Sequence, residues 1–170
     1  TYKYLRTLSV YNGKLYAGVG ADVAGDAEVW EYNGSAWTKV GGDAVNSSWA
    51  AATYEQINSM SVYNGKLYVG VGSGTGEGEL WEYNGSTWTK VGGDAVNSSW
   101  ADATYESVRS LSVYNGKLYA GLGIGTGDAE VWAFSTDTTT IAKSGNNGLA
   151  IGNEIFLGNQ GFVGIGKINP

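Results

Sequence analysis

Ser61-Val62-Tyr63-Asn64-Gly65-Lys66-Leu67-Tyr68 holds an apolar strand, an Asn-Gly pair and the start of a second strand within eight residues. Asn-Gly between such flanks marks a two-residue hairpin, because both central positions of that turn require positive φ. The same eight residues stand at Ser9 to Tyr16 and at Ser112 to Tyr119, and Trp30, Trp81 and Trp132 recur every 51 residues. The segments Glu31 to Trp49 and Glu82 to Trp100 differ at a single position, Ala36 against Thr87. The chain is therefore a tandem repeat, and the fold must be one in which each unit leans on its neighbours.

Working outward from the hairpin, each complete unit carries a second Asn-Gly, at Asn33-Gly34 and Asn84-Gly85. The first hairpin joins a strand such as Val108 to Tyr114 to one at Lys117 to Gly121. The second joins Glu79 to Tyr83 to Thr87 to Gly92. In the Lys66 to Val71 strand, Leu67, Val69 and Val71 fall on one face, Lys66, Tyr68 and Gly70 on the other, as a strand packed between two neighbours requires. Trp81, Tyr83 and Trp88 supply flat surfaces for stacking one unit on the next. The expected class is all-β: tandem four-stranded antiparallel units, each equivalent to one blade of a β-propeller. Thr1 to Ser9 aligns with Thr53 to Ser61, so the chain opens inside the tail of a repeat and further units are expected upstream.

Composition agrees with many short strands and tight turns: of 170 residues, 28 are glycine, 22 are aromatic, and the single proline is Pro170. A formal charge of −6 with only 10 Lys and Arg leaves no basic patch to neutralise a phosphate backbone, so nucleic acid is not an expected partner. No apolar run approaches the ~18 residues that span a bilayer. The chain has no Cys and no His, which removes thiolate chemistry, most zinc sites and any His-dependent triad.

Val62-Tyr63-Asn64-Gly65-Lys66-Leu67-Tyr68, a glycine-rich stretch, Leu80-Trp81-Glu82-Tyr83 and Trp88-Thr89-Lys90-Val91 resemble kelch-type and related bacterial propeller blades. The resemblance covers Thr1 to about Phe134. It departs from kelch where Gly70-Val71-Gly72 replaces the usual Gly-Gly after the second strand, with Gly92-Gly93 following the fourth. After Trp132 the repeat decays. Thr138 to Lys143 is one candidate for a degenerate fourth strand, and an upstream strand completing the unit is the other.

Phe162-Val163-Gly164-Ile165-Gly166-Lys167-Ile168-Asn169-Pro170 resembles the Val-Gly-Ile-Gly-Thr-Thr-Asn-Pro segment of phage tail fibres, with Lys167-Ile168 where Thr-Thr is usual. That resemblance implies intertwined trimeric β-structure and hence a homotrimer. The domain reading is residues 1–143 as repeat units and residues 144–170 as a fibre-like oligomerisation segment.

Loops held by a rigid scaffold are where binding usually sits. The long loops Gly41 to Tyr54 and Gly92 to Tyr105 each hold Asp, Asn, two Ser, Trp and Tyr. Trp49 and Trp100 are candidate stacking surfaces for a sugar ring, with Asp43, Asn46, Asp94, Asn97 and Asp102 as partners for its hydroxyls. The competing reading has both tryptophans bracing the loops in grooves between units. Asp26, Glu28, Glu77, Glu79, Asp128 and Glu130 recur in the other set of loops but lack the Asp-x-Asp-x-Asp-Gly spacing of a calcium loop, so no metal or cofactor is expected. The sequons at Asn33, Asn46, Asn84 and Asn97 are what short Asn/Ser/Gly loops produce by chance. Acids recur once per unit rather than converging as a unique pair, so no enzymatic activity is expected. Two functions are in view, both extracellular. One is the structural and receptor-binding part of a phage tail fibre or similar virion appendage, reading a cell-surface glycan or protein. The other is a secreted or surface bacterial propeller serving as a lectin or protein-interaction module.

Overall fold

The computed structural model describes residues 2–23, 25–50, 54–101, 105–123 and 129–134 together with the backbone of strand 162–165. Twelve strands are described: β1 (Tyr4–Tyr11), β2 (Lys14–Gly20), β3 (Glu28–Tyr32), β4 (Trp37–Gly41), β5 (Ile57–Tyr63), β6 (Lys66–Val71), β7 (Glu79–Tyr83), β8 (Trp88–Gly92), β9 (Val108–Tyr114), β10 (Lys117–Leu122), β11 (Glu130–Phe134) and β12 (Phe162–Ile165). They form three four-stranded antiparallel meanders, β1-β2-β3-β4, β5-β6-β7-β8 and β9-β10-β11-β12. The tandem all-β expectation is met.

The first hairpin of every unit is the tight turn that the sequence demands. Asn12 and Gly13 have φ of 47° and 73°, and Asn64-Gly65 and Asn115-Gly116 repeat these values within a few degrees. A side chain other than Asn would pay a steric cost at the first position and almost any would at the second. The second hairpin departs from expectation. Tyr32 pairs directly with Trp37 and Tyr83 with Trp88, so the connection spans four residues rather than two. Oδ1 of Asn33 accepts from the N–H groups of Ser35 (2.9 Å) and Ala36 (3.0 Å), and Asn84 does the same for Ser86 and Thr87. The asparagine side chain there substitutes for a backbone turn. The following serine, whose hydroxyl joins the cap, is what distinguishes Asn-Gly-Ser from Asn-Gly-Lys.

β12 lies antiparallel to β11, with Phe134 opposite Phe162 and Val131 opposite Ile165. The fourth strand of the last unit thus comes from Phe162–Ile165, far along the chain from β11. Thr138 to Lys143, the sequence candidate, lies outside the described residues, as do 144–161 and 166–170.

The core is split between units. Tyr11, Tyr16 and Val29 of the first sheet meet Ile57, Leu67, Val69, Val71, Tyr83 and Trp88 of the second. The opposite face of the second, with Tyr63, Tyr68, Leu80 and Val91, meets Val108, Leu118, Ala120, Leu122, Trp132 and Phe134 of the third. The two faces of β6 are divided as its alternation requires. Close approach depends on glycine: a β-carbon on Gly18 would lie 2.6 Å from Cγ2 of Ile57, and one on Gly70 2.5 Å from the Val108 carbonyl oxygen. At these two glycines Ile57 of β5 and Val108 of β9 reach the backbone of the preceding unit.

Candidate functional site

The long loops after β4 and β8 are built alike, atom for atom in their polar contacts. In the first, Ser48 Oγ accepts from the Gly42 N–H (2.9 Å), the Ala44 N–H donates to the Trp49 carbonyl (2.9 Å), and Asn46 Nδ2 donates to the Val40 carbonyl (3.0 Å). The second repeats these through Ser99 and Gly93, Ala95 and Trp100, and Asn97 and Val91. Four non-glycine residues of the first loop adopt left-handed backbone, Asp43, Ala44, Asn46 and Ser47, with φ between 53° and 62°, and their counterparts in the second loop do likewise. Such conformations cost free energy and persist only where surroundings over-determine them. The hydrogen-bonded knot provides that constraint.

Trp49 and Trp100 are anchors of these knots. Each is only 2% exposed. The Trp49 indole N–H donates to the Ala27 carbonyl (2.8 Å), and its ring meets Trp81 and Trp88 of the next unit edge-on at 5.7 and 5.3 Å. Trp100 donates to the Gly78 carbonyl (2.5 Å) and meets Trp132 at 5.7 Å. A ring so enclosed presents no face to a sugar, so the stacking role expected of both does not fit this arrangement; the bracing role does. Trp88 adds to the same seam, donating to the Val40 carbonyl of the preceding unit (2.7 Å) while stacking on Tyr83 at 4.6 Å.

The polar candidates stand around these anchors. Asp43 is paired with Lys39 and Asp94 with Lys90, and all four side chains remain partly open to solvent. Asn46 and Asn97 are engaged by their amide groups in the knot, and Asp102 lies outside the described residues. The hydrogen bond to Asp43 and the charges of Glu28 and Asp43 hold the Lys39 ammonium above its ordinary value, against the opposing effect of burial.

The carboxylates of the other loop set are structural partners. Glu28 accepts from the Trp30 indole (2.8 Å), the Tyr2 hydroxyl and Lys39 (3.1 Å). Glu79 accepts from Trp81 (2.7 Å) and Lys90 (2.9 Å), Glu130 from Trp132 (3.0 Å) and Tyr105 (2.6 Å). Burial is the main cause that raises Glu79 above the usual carboxylate range. This Glu-x-Trp clip went unread in the sequence, although its signal was there: residues two apart on a strand share a face. Glu77 accepts from the Ser73 and Gly74 N–H groups (both 3.1 Å), and burial with the nearby Glu55 and Glu106 carboxylates raises it as well. Asp26 is half-buried, and Asp128 lies outside the described residues. Among the described residues no group of three or more His, Cys, Asp or Glu is placed to hold a metal ion.

Comparison with protein-family models, with curated proteins and with solved structures finds no match to the chain.

Proposed function

We propose that the chain is a non-catalytic, ligand-presenting module of an extracellular assembly, its units arranged as the blades of a propeller and its long-loop edge turned towards a cell-surface glycan or protein receptor. The observation that carries the reading is the duplication of one rigid loop: two knots with the same backbone strain, the same internal hydrogen bonds and the same outward polar set. The repeated loop seats Trp49 and Trp100 in the two seams and, at the same time, holds an identical polar set at solvent-facing positions. Two equal contact points result, whose weak individual affinities multiply on a surface that carries many copies of a ligand. Asp43 and Ser47 of the first loop and Asp94 and Ser98 of the second are exposed, offering acceptors and hydroxyls to a polyhydroxylated partner. The tryptophans fix the loops and do not touch the ligand.

The virion-appendage form of this proposal draws on the likeness of the carboxyl-terminal segment to tail fibres, and the blade form on the meander of each unit together with the side-by-side packing of β1, β5 and β9. The test is a glycan array probed with the wild-type chain and with an Asp43→Ala, Asp94→Ala double variant. The carboxylates belong to partly exposed ion pairs, so their removal should leave the fold intact. Binding by the wild type that falls at least about tenfold in the double variant supports the assignment. Binding that survives unchanged moves the site away from these loops.

A further inference from the structure

We infer that a second copy of this chain docks head-to-tail on the first, the outer face of the third sheet covering the outer face of the first. The two internal seams are formed by equivalent residues, so each surface on the outside has a counterpart whose partner is already seen.

On the first sheet, Leu5 is 61% exposed and Trp37 45%; their counterparts in the second, Ile57 and Trp88, are 0% and 3% exposed because the preceding unit covers them. On the third sheet, Tyr114 is 65% exposed, whereas Tyr11 and Tyr63 at the same position are 3% and 4%. Those two are buried by one act: the Tyr11 hydroxyl donates to the Gly65 carbonyl in the next unit's first hairpin (3.1 Å), and Tyr63 to that of Gly116 (2.8 Å). The next acceptor in the series is Gly13 of another copy. Gly121 completes the match. Its counterparts Gly18 and Gly70 are needed because Ile57 and Val108 press against them, yet the atoms nearest a β-carbon on Gly121, among the described residues, belong to Ser110 of its own sheet. Leu5 of another copy, the counterpart of Ile57, would press there.

The third sheet also differs in one informative way. Glu31 and Glu82 accept from Tyr16 and Tyr68 inside the seams (both 2.6 Å) and pair with Lys14 and Lys66. Ala133 stands at that position in the third unit, so covering the third sheet buries no carboxylate there. This is a head-to-tail contact, which closes as a ring or runs on as a filament. Two copies of the three sheets among the described residues bring six together, within the roughly four to eight blades of closed propellers. Closure in this form rests on the propeller reading proposed above. The contact itself does not.

The test uses two single variants, Leu5→Arg and Tyr114→Arg, both at exposed positions, with circular dichroism to verify the fold and Leu5→Ser and Tyr114→Ser held as milder forms. Sedimentation of the wild type should show a dimer of twice the 17.8 kDa chain mass. Each variant alone should associate at least about 30-fold more weakly. Mixing the two variants should restore a heterodimer, since one carries an intact first face and the other an intact third face. A wild-type monomer at 100 µM (a concentration roughly where a contact of this size would be filled), a dimer that survives in either variant, or no rescue on mixing would overturn the contact while leaving the ligand reading untouched. A trimer or open filaments would overturn closure by two copies and leave the contact standing.

Discussion

Replacing Trp49 by alanine removes a ring that joins three parts of the molecule at once. Its indole holds the Ala27 carbonyl at 2.8 Å, and its edges meet Trp81 and Trp88 across the first seam. Truncating a buried Trp to Ala costs about 3 to 5 kcal/mol through lost transfer energy and the cavity left behind. Orphaning the Ala27 carbonyl adds to the upper half of that range. A loss near 4 kcal/mol in a chain of this length lowers Tm by roughly 10 °C. Trp49→Phe separates the two contributions: it retains an aromatic ring but not the donor, and should cost about 1 to 2 kcal/mol. Thermal unfolding followed by circular dichroism, with denaturant titration for the free energies, measures both. Trp100→Ala should act alike, and because the two rings belong to separate core clusters the double variant should be additive within about 0.5 kcal/mol. A Trp49→Ala loss below about 1 kcal/mol would refute the bracing role and return the ring to consideration as a ligand surface.

Three further outcomes are expected. Gly70→Ala, whose β-carbon would meet the Val108 carbonyl oxygen at 2.5 Å, should cost about 1 to 3 kcal/mol in a chemical denaturation, whereas the same change at Gly13, in open space but at φ of 73°, should cost about 1 kcal/mol; equal losses would show that the seam can yield. Glu77 is raised chiefly by burial, with Glu55 and Glu106 pushing the same way against the Ser73 and Gly74 N–H groups. Folding therefore favours its protonated form, and the stability of the wild type relative to Glu77→Gln should be greatest below the unfolded value near 4.5 and decline as pH rises through the higher folded value; Tm of both proteins between pH 4 and 7 (a window spanning roughly the ordinary and raised carboxylate range) measures it, and a difference that grows with pH would refute the sign. Ser48→Ala, which deprives the Gly42 N–H of its acceptor in a buried position, should cost about 1 to 2 kcal/mol in the same assay and loosen the loop to proteolysis.

The fold was legible because its signals were local and repeated. Asn12-Gly13 and its two equivalents specify their turn with two residues, and the alternation of Leu67, Val69 and Val71 specifies which face of β6 is buried. What escaped depended on partners far along the chain. Nothing near Asn33 in the one-dimensional pattern separates a two-residue from a four-residue hairpin except the serine two places on, whose significance lies in where its hydroxyl points. Trp49 reads as an exposed loop aromatic until Trp81 and Trp88, more than thirty residues later, are seen to enclose it. The origin of the fourth strand of the last unit, β12, was hidden for the same reason: strand pairing across a gap is written in three dimensions only.

The near-identity of the units has a consequence for how the chain reaches its native state. β4 and β8 both read Trp-Thr-Lys-Val-Gly, so β3 can accept either as its outer partner and bury the same side chains. What separates the two pairings is chiefly the chain that must be closed off, four residues in one case and about 55 in the other, a difference of about 2 kcal/mol in loop entropy. That margin is small beside the stability of a folded domain. The four-residue Asn33 turn, which forms locally before distant strands can arrive, is therefore also a proofreading element: it commits β3 to β4 early and disfavours exchange of strands between adjacent copies of one sequence.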